Sequence, residues 1–178
     1  MNRVCTVWLL LLVQGIPALA QEGGAGLSRA QRAAVADVES RVGLIKEVNR
    51  KIWDYAEVGL EETRSSALLQ KHLKENGFKV EAGVSGMPTA FVASYGSGKP
   101  VIGILAEYDA LPGMSQKVEP VRAALQPGRP GHACGHSGLG SGALGAALAV
   151  KAAIEAHKLK GTIRLYGTPA EETVIGKV

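Results

Sequence analysis

Three short stretches carry side chains that can act together. The first is Gly131-His132-Ala133-Cys134-Gly135-His136, in which Cys134 and His136 stand two residues apart. In an extended segment that spacing points both side chains to one side. A thiolate and an imidazole are first-choice ligands for a divalent transition metal. The second stretch is Glu171-Glu172, a pair of carboxylates, one to hold a metal and one to move protons. The third is Glu107-Tyr108-Asp109. Alone, a Cys-x-His pair is a weak signal, because a single cysteine or histidine is more often a packed core residue. The same thiol also reads as a nucleophile.

The elements that must position these stretches show in the periodicity. Over residues 28–56, apolar residues recur in steps of three and four through Val35, Val38, Val42, Ile45, Val48, Ile52 and Tyr55. This predicts one helix with Ser28 as its N-cap. A second helix is expected over residues 61–76, stopped by Asn76-Gly77, with His72 on a solvated face between Lys71 and Lys74. Short strands are expected at residues 78–82 and 89–94, and residues 96–99 read as a hairpin turn. The apolar run 100–106 fits a strand covered on both faces of an α/β sheet. It delivers Glu107-Tyr108-Asp109 at its C-terminal end, where α/β proteins place chemistry. Residues 114–130 form a polar loop without periodicity. Residues 138–157 form a helix of small residues, whose glycines call for close packing or close backbone approach. Gly140-x-Gly142-x-x-Gly145 also matches a dinucleotide fingerprint, but no apolar strand directly precedes it. A last strand over residues 162–166 hands Glu171-Glu172 to the same rim, and strand, loop, helix, strand is a parallel crossover unit.

The composition is globular: 46% hydrophobic and 20% charged over 178 residues. Aromatics make up 4% while glycines number 23, so the core is built from Ala, Val, Leu and Ile. The net charge of +4 is scattered, which argues against a nucleic-acid partner. Met1-Asn2-Arg3, the apolar run over residues 7–13 and Ala18-Leu19-Ala20 read as a cleavable signal, cut after about Ala20. Gln14, Gly15 and Pro17 break the apolar run, so no stable membrane anchor is expected. The expected location is periplasmic or secreted, with residues 21–27 a flexible lead-in. Cys5 leaves with the signal, so Cys134 has no internal disulfide partner and must be buried or held by metal.

Glu107-Tyr108-Asp109-Ala110-Leu111-Pro112-Gly113, the Cys134 segment and Gly167-Thr168-Pro169-Ala170-Glu171-Glu172 together resemble the co-catalytic metallohydrolases of the aminoacylase and carboxypeptidase G type. The amidohydrolase branch that includes p-aminobenzoyl-glutamate hydrolase is the best match; Ser85-Gly86-Met87-Pro88-Thr89-Ala90 and the segment around Trp53 fit it too. The resemblance implies an α/β fold: a three-layer αβα domain with a mixed, largely parallel central sheet, of which residues 28–178 are the N-terminal portion. It implies two divalent ions, zinc or manganese with cobalt a further candidate. Cys134, His136 and Glu172 would be ligands, Glu171 the general base, and Asp109 an acid that orients a site group. His132 either supports a ligand from behind or is a loop histidine. The implied substrates are N-acyl amino acids, aminobenzoyl-glutamate-like amides or small peptides, and the implied assembly is a homo-oligomer. Ser137 stands where the family commonly carries Asp or Asn, and the further histidine ligands that the family supplies downstream have no counterpart after Glu172. The competing reading is a truncated or split, non-catalytic fragment with an incomplete metal site; the chain alone is expected to be inactive.

Overall fold

The computed structural model describes residues 26–174. The expected signal over residues 1–20, and residues 21–25 of the lead-in, lie outside the described residues. The first helical stretch is two helices rather than one. Helix α1 (Arg29–Ser40) opens on Ser28, whose side chain accepts from the Gln31 backbone N–H while the Gln31 side chain accepts from that of Ser28. At Arg41 the backbone leaves helical geometry (φ −98°, ψ 6°), and α2 (Val42–Tyr55) follows. Asp37 bonds across the break. Its carboxylate takes the Arg41 guanidinium at 2.6 Å and its carbonyl takes the Ser40 hydroxyl at 2.7 Å. The Ser40 bond is of a kind that competes with regular helix, whereas an ion pair at i,i+4 supports one. The apolar stripe therefore does not bury as one face: Val48 and Ile52 are buried, whereas Val35 and Val42 are exposed.

Helix α3 (Thr63–Glu75) buries Leu69 and Leu73 together with Ser65 and Ser66. Its N-terminus is capped from outside by Glu57, whose carboxylate accepts the backbone N–H groups of Arg64 at 3.0 Å and Ser65 at 2.8 Å. His72 is not the solvated residue expected. Its side chain is 17% exposed, and burial lowers its pKa.

The strands are β1 (Lys79–Ala82), β2 (Phe91–Ser97), β3 (Val101–Ala106) and β4 (Gly161–Gly167), in the order β1-β2-β4-β3. Between β3 and β4 runs α4 (His136–His157), and this crossover makes β3 and β4 parallel neighbours as expected. The other two pairs, β1 with β2 and β2 with β4, are antiparallel. The sheet is thus mixed and the class α/β, but among the described strands it is less parallel than expected. Residues 96–99 are not a hairpin turn either. Strands β2 and β3 flank β4, and their link crosses the start of β4, where Thr162 N–H donates to the Pro100 carbonyl at 2.8 Å.

One core holds the elements together. Val48 and Ile52 of α2, Leu69 and Leu73 of α3, and Leu144 and Leu148 of α4 meet Phe91, Ala93, Ile163 and Leu165 on one sheet face. Each fully buried leucine or isoleucine contributes about 1.5–3 kcal/mol. Alternate strand residues on the opposite face, such as Arg164, are exposed. The described residues therefore supply two of the three expected layers. Strand β3 is an edge rather than a doubly covered strand, with Val101, Ile102 and Leu105 exposed. Helix α4 is long and apolar enough to cross a membrane by length and composition, yet it packs on β3, β4 and α1 as a core helix. Its Gly145 lies against Ile45 of α2, and Gly140 and Gly142 sit inside the helix, so these glycines form no phosphate-binding turn.

Candidate metal centre

Parallel pairing of β3 and β4 ends both strands at one rim, so Glu107-Tyr108-Asp109 and Glu171-Glu172 leave the sheet side by side. The Cys134 segment arrives at the same rim because α4 begins there. Gly135 makes the turn into α4 at φ 97°, a left-handed conformation that a side chain disfavours, and His136 is the first helical residue. One turn later Gly140 lies on the Glu107 carbonyl, 2.8 Å from where an added Cβ would sit. The small-residue helix thus lets α4 press its N-terminus against the carboxylate-bearing rim.

His136 is the hub, 2% exposed. Its Nδ1 lies 2.8 Å from Asp109 Oδ1, and a carboxylate accepts, so Nδ1 carries the hydrogen. The other nitrogen, Nε2, faces Glu107 at 3.1 Å, Glu172 at 3.7 Å and Glu171 at 3.8 Å. It is the atom left to take a proton or a cation. The second oxygen of Asp109 accepts the Glu172 backbone N–H at 2.8 Å, so one buried acid fixes both the imidazole and the Glu172 backbone.

Two donor triads result: Cys134, His136 and Glu172, and Glu107, His136 and Glu171, each with its ligand atoms within 4.8 Å of one another. Cys134, expected to be buried or metal-held, is exposed. Its thiol is pushed up from the ordinary value, first because Glu172 accepts its hydrogen bond, with burial and the charges of Glu172, Glu171 and Glu107 adding to this. A cation at the site acts the other way and favours the thiolate. Glu172 Oε1 is buried without a hydrogen-bond partner. A buried carboxylate oxygen without a hydrogen-bond partner, 3.7 Å from His136 Nε2, fits a divalent cation, and the sulfur–nitrogen–oxygen set is one that zinc accepts with a fourth position open. The two triads share one Nε2, and one lone pair holds one ion. His136 therefore serves one ion, and Cys134, Glu107, Glu171 and Glu172 are the further donors gathered around it.

His132 is placed differently. Its Nε2 donates to the Ile52 carbonyl at 3.0 Å, tying the Cys134 loop to the end of α2, and burial lowers its pKa. It is not in either triad. Beside it, Trp53, Met114, Val118, Arg122 and Ala133 line a groove of about 640 Å³ that runs up to the residue before Cys134. Sequence reasoning assigned no role to Glu107 or Glu62. The signal for Glu107 was present, since it is the first residue past an apolar strand; nothing local marked Glu62.

Fold and donor set together define an α/β chain with a metal-type site on the C-terminal rim of its parallel strand pair. Comparison with known proteins agrees. The sequence profile of peptidase family M20/M25/M40 matches residues 103–177. The chain is 46% identical over 128 residues to one of the subunits of the p-aminobenzoyl-glutamate hydrolase of Escherichia coli, an alignment covering 71% of this chain and 27% of that protein. It is 35% identical over 136 residues to N-acetyl-L-cysteine deacetylase of Bacillus subtilis, covering 72% and 30%. A solved dinuclear metal-binding peptidase of the M20 family from Bacillus subtilis superposes with a TM-score of 0.63 at 27% identity, covering 75% of this chain and 37% of that one. The chain belongs to peptidase family M20/M25/M40, and it spans less than a third of the length of these two curated relatives.

Proposed function

We propose that this chain carries the metal-binding rim of an amidohydrolase, with Cys134, His136 and Glu172 as ligands and Glu171 as general base. The observation that carries the reading is the Cys134–His136–Glu172 cluster, within 4.8 Å, with its buried and unbonded Glu172 Oε1. A bound divalent ion, zinc or manganese with cobalt a further candidate, supplies Lewis acidity toward an amide carbonyl and lowers the pKa of water. The protein residues do the rest. Asp109 holds His136 so that Nε2 faces the ion, and it holds the Glu172 backbone in the same grip. Glu171 takes a proton from water and returns it to the leaving nitrogen. The groove along Trp53, Met114 and Arg122 accepts an apolar arm and an anionic group of the substrate. The substrate class is N-acyl amino acids, aminobenzoyl-glutamate-like amides or small peptides, in keeping with what the two curated relatives are named for. With residues 1–20 as a cleaved signal, the protein works in the periplasm or outside the cell, as a homo-oligomer. A second reading, a non-catalytic piece with an incomplete site, is favoured by one observation: both triads share His136 Nε2.

The test is hydrolysis of N-acyl amino acids and aminobenzoyl-glutamate by the full gene product loaded with zinc or manganese. Glu171→Gln is expected to lower kcat by about 10²–10⁴-fold while metal affinity stays close to wild type. Turnover that survives Cys134→Ala and Glu171→Ala together would overturn the assignment.

A further inference from the structure

Against the segment that carries Glu171 and Glu172 lies a carboxylate with no part in either donor triad. Glu62, at the N-terminus of α3, is fully buried. Its Oε1 accepts the backbone N–H of Ala170 at 2.7 Å and its Oε2 accepts the Thr89 hydroxyl at 2.8 Å. Ala170 has φ 59°, a conformation that residues with a side chain rarely adopt, and its carbonyl accepts the Val174 N–H at 3.0 Å. Ala170 is thus the hinge from which the turn Glu171–Val174 starts. The Glu62 carboxylate bonds the N–H of that hinge.

The loop that carries Glu62 touches the other acidic stretch as well. The Glu57 carbonyl accepts the Ala110 N–H at 2.7 Å, next to Asp109. Gly59 lies so close to the hinge that an added Cβ would sit 2.9 Å from Ala170 Cβ and also meet the Thr173 hydroxyl. Thr89 extends the contact: its carbonyl accepts the Tyr108 hydroxyl at 2.7 Å, between Glu107 and Asp109. A buried carboxylate is a costly way to fill a core. Here it meets two donors that a hydrocarbon would leave unbonded, and one of them belongs to the segment bearing two of the site's acids.

We propose that Glu62 is a positioning residue of the rim: its carboxylate pins Ala170 in the left-handed hinge that turns Glu171 and Glu172 toward Cys134 and His136. What those acids then do rests on the amidohydrolase reading; how they are held rests on these contacts alone.

Two readouts on the full chain test this, one independent of metal. The first is hydrogen–deuterium exchange of the metal-free protein. Glu62→Leu is expected to speed exchange over residues 168–174 by about tenfold or more, the weight of one hydrogen bond to a charged group, with α4 unchanged. Glu62→Gln keeps an oxygen for the Ala170 N–H, and its amide donates to the Thr89 hydroxyl after that group rotates, so exchange stays within about threefold of wild type. The second readout is zinc affinity by competition with a chromophoric chelator. Glu62→Leu is expected to weaken binding about 10–100-fold, and Glu62→Gln is expected to restore it. Should Glu62→Leu fail to fold, Thr89→Val removes the hydroxyl that braces Oε2, and it is expected to speed exchange in the same segment. Unchanged exchange over residues 168–174 in the folded variant would overturn the proposal. So would damage by Glu62→Gln equal to that by Glu62→Leu, or unchanged zinc affinity in Glu62→Leu. If the wild-type chain binds no zinc, the amidohydrolase reading fails, while the exchange experiment still decides the role of Glu62.

Discussion

His136 shows how one side chain is given a single task. Asp109 takes Nδ1, and Nε2 is presented to Glu107, Glu171 and Glu172. Asp109→Asn puts an amide where one oxygen accepts from His136 and the other from the Glu172 N–H, so at least one of those bonds is lost. Metal affinity is expected to fall about 10–100-fold, measured by chelator competition on the folded variant. At this scale the sequence was readable where chemistry restricts residue type: Cys134, His136 and Glu172 do come together at one point. Glu107 was seen at the rim but given no role, since its reach to His136 depends on how far α4 presses forward. Glu62 was invisible, because a glutamate at the head of a helix looks like any other until the fold buries it.

Local patterns foretold α3, α4, β4 and the parallel crossover, since each rests on periodicity or on a neighbouring stop signal. They missed the break at Arg41, where the apolar period runs on unbroken, and the place of β3 at the edge, which is set by a strand order reaching across the chain. The glycines of α4 were read as a demand for close approach, and Gly140 meets that demand against the Glu107 carbonyl. Gly140→Val is expected to destabilise the fold by about 1–3 kcal/mol in denaturant titration, because the opposing atom is backbone and cannot step aside. Within α3, burial disfavours the charged form of His72, so its folded pKa lies below the usual 6.5. As pH falls through 6.5, the unfolded chain takes up the proton first, and stability falls until the lower folded value is passed. His72→Gln is expected to flatten that part of a melting-temperature profile.

Over the whole molecule, one core on one face of the sheet carries the stability. Leu148, 1% exposed and packed among α2, α3 and the sheet, is expected to cost about 2–5 kcal/mol when cut to alanine, read by thermal or chemical unfolding. The same architecture leaves Ile102 and Leu105 of β3 exposed at an edge, the kind of apolar edge on which strands of another chain can pair. Replacing both with lysine is expected to reduce self-association in sedimentation while leaving the fold intact. Every functional role assigned to the rim nonetheless depends on its holding a metal. Titrating the chain with cobalt(II) while following near-ultraviolet thiolate-to-metal absorption tests this most directly. The expected result is a band that saturates at one equivalent and is absent in Cys134→Ser and in Glu172→Gln. A wild-type chain without the band, or variants that bind as tightly as wild type, would contradict a metal-holding rim.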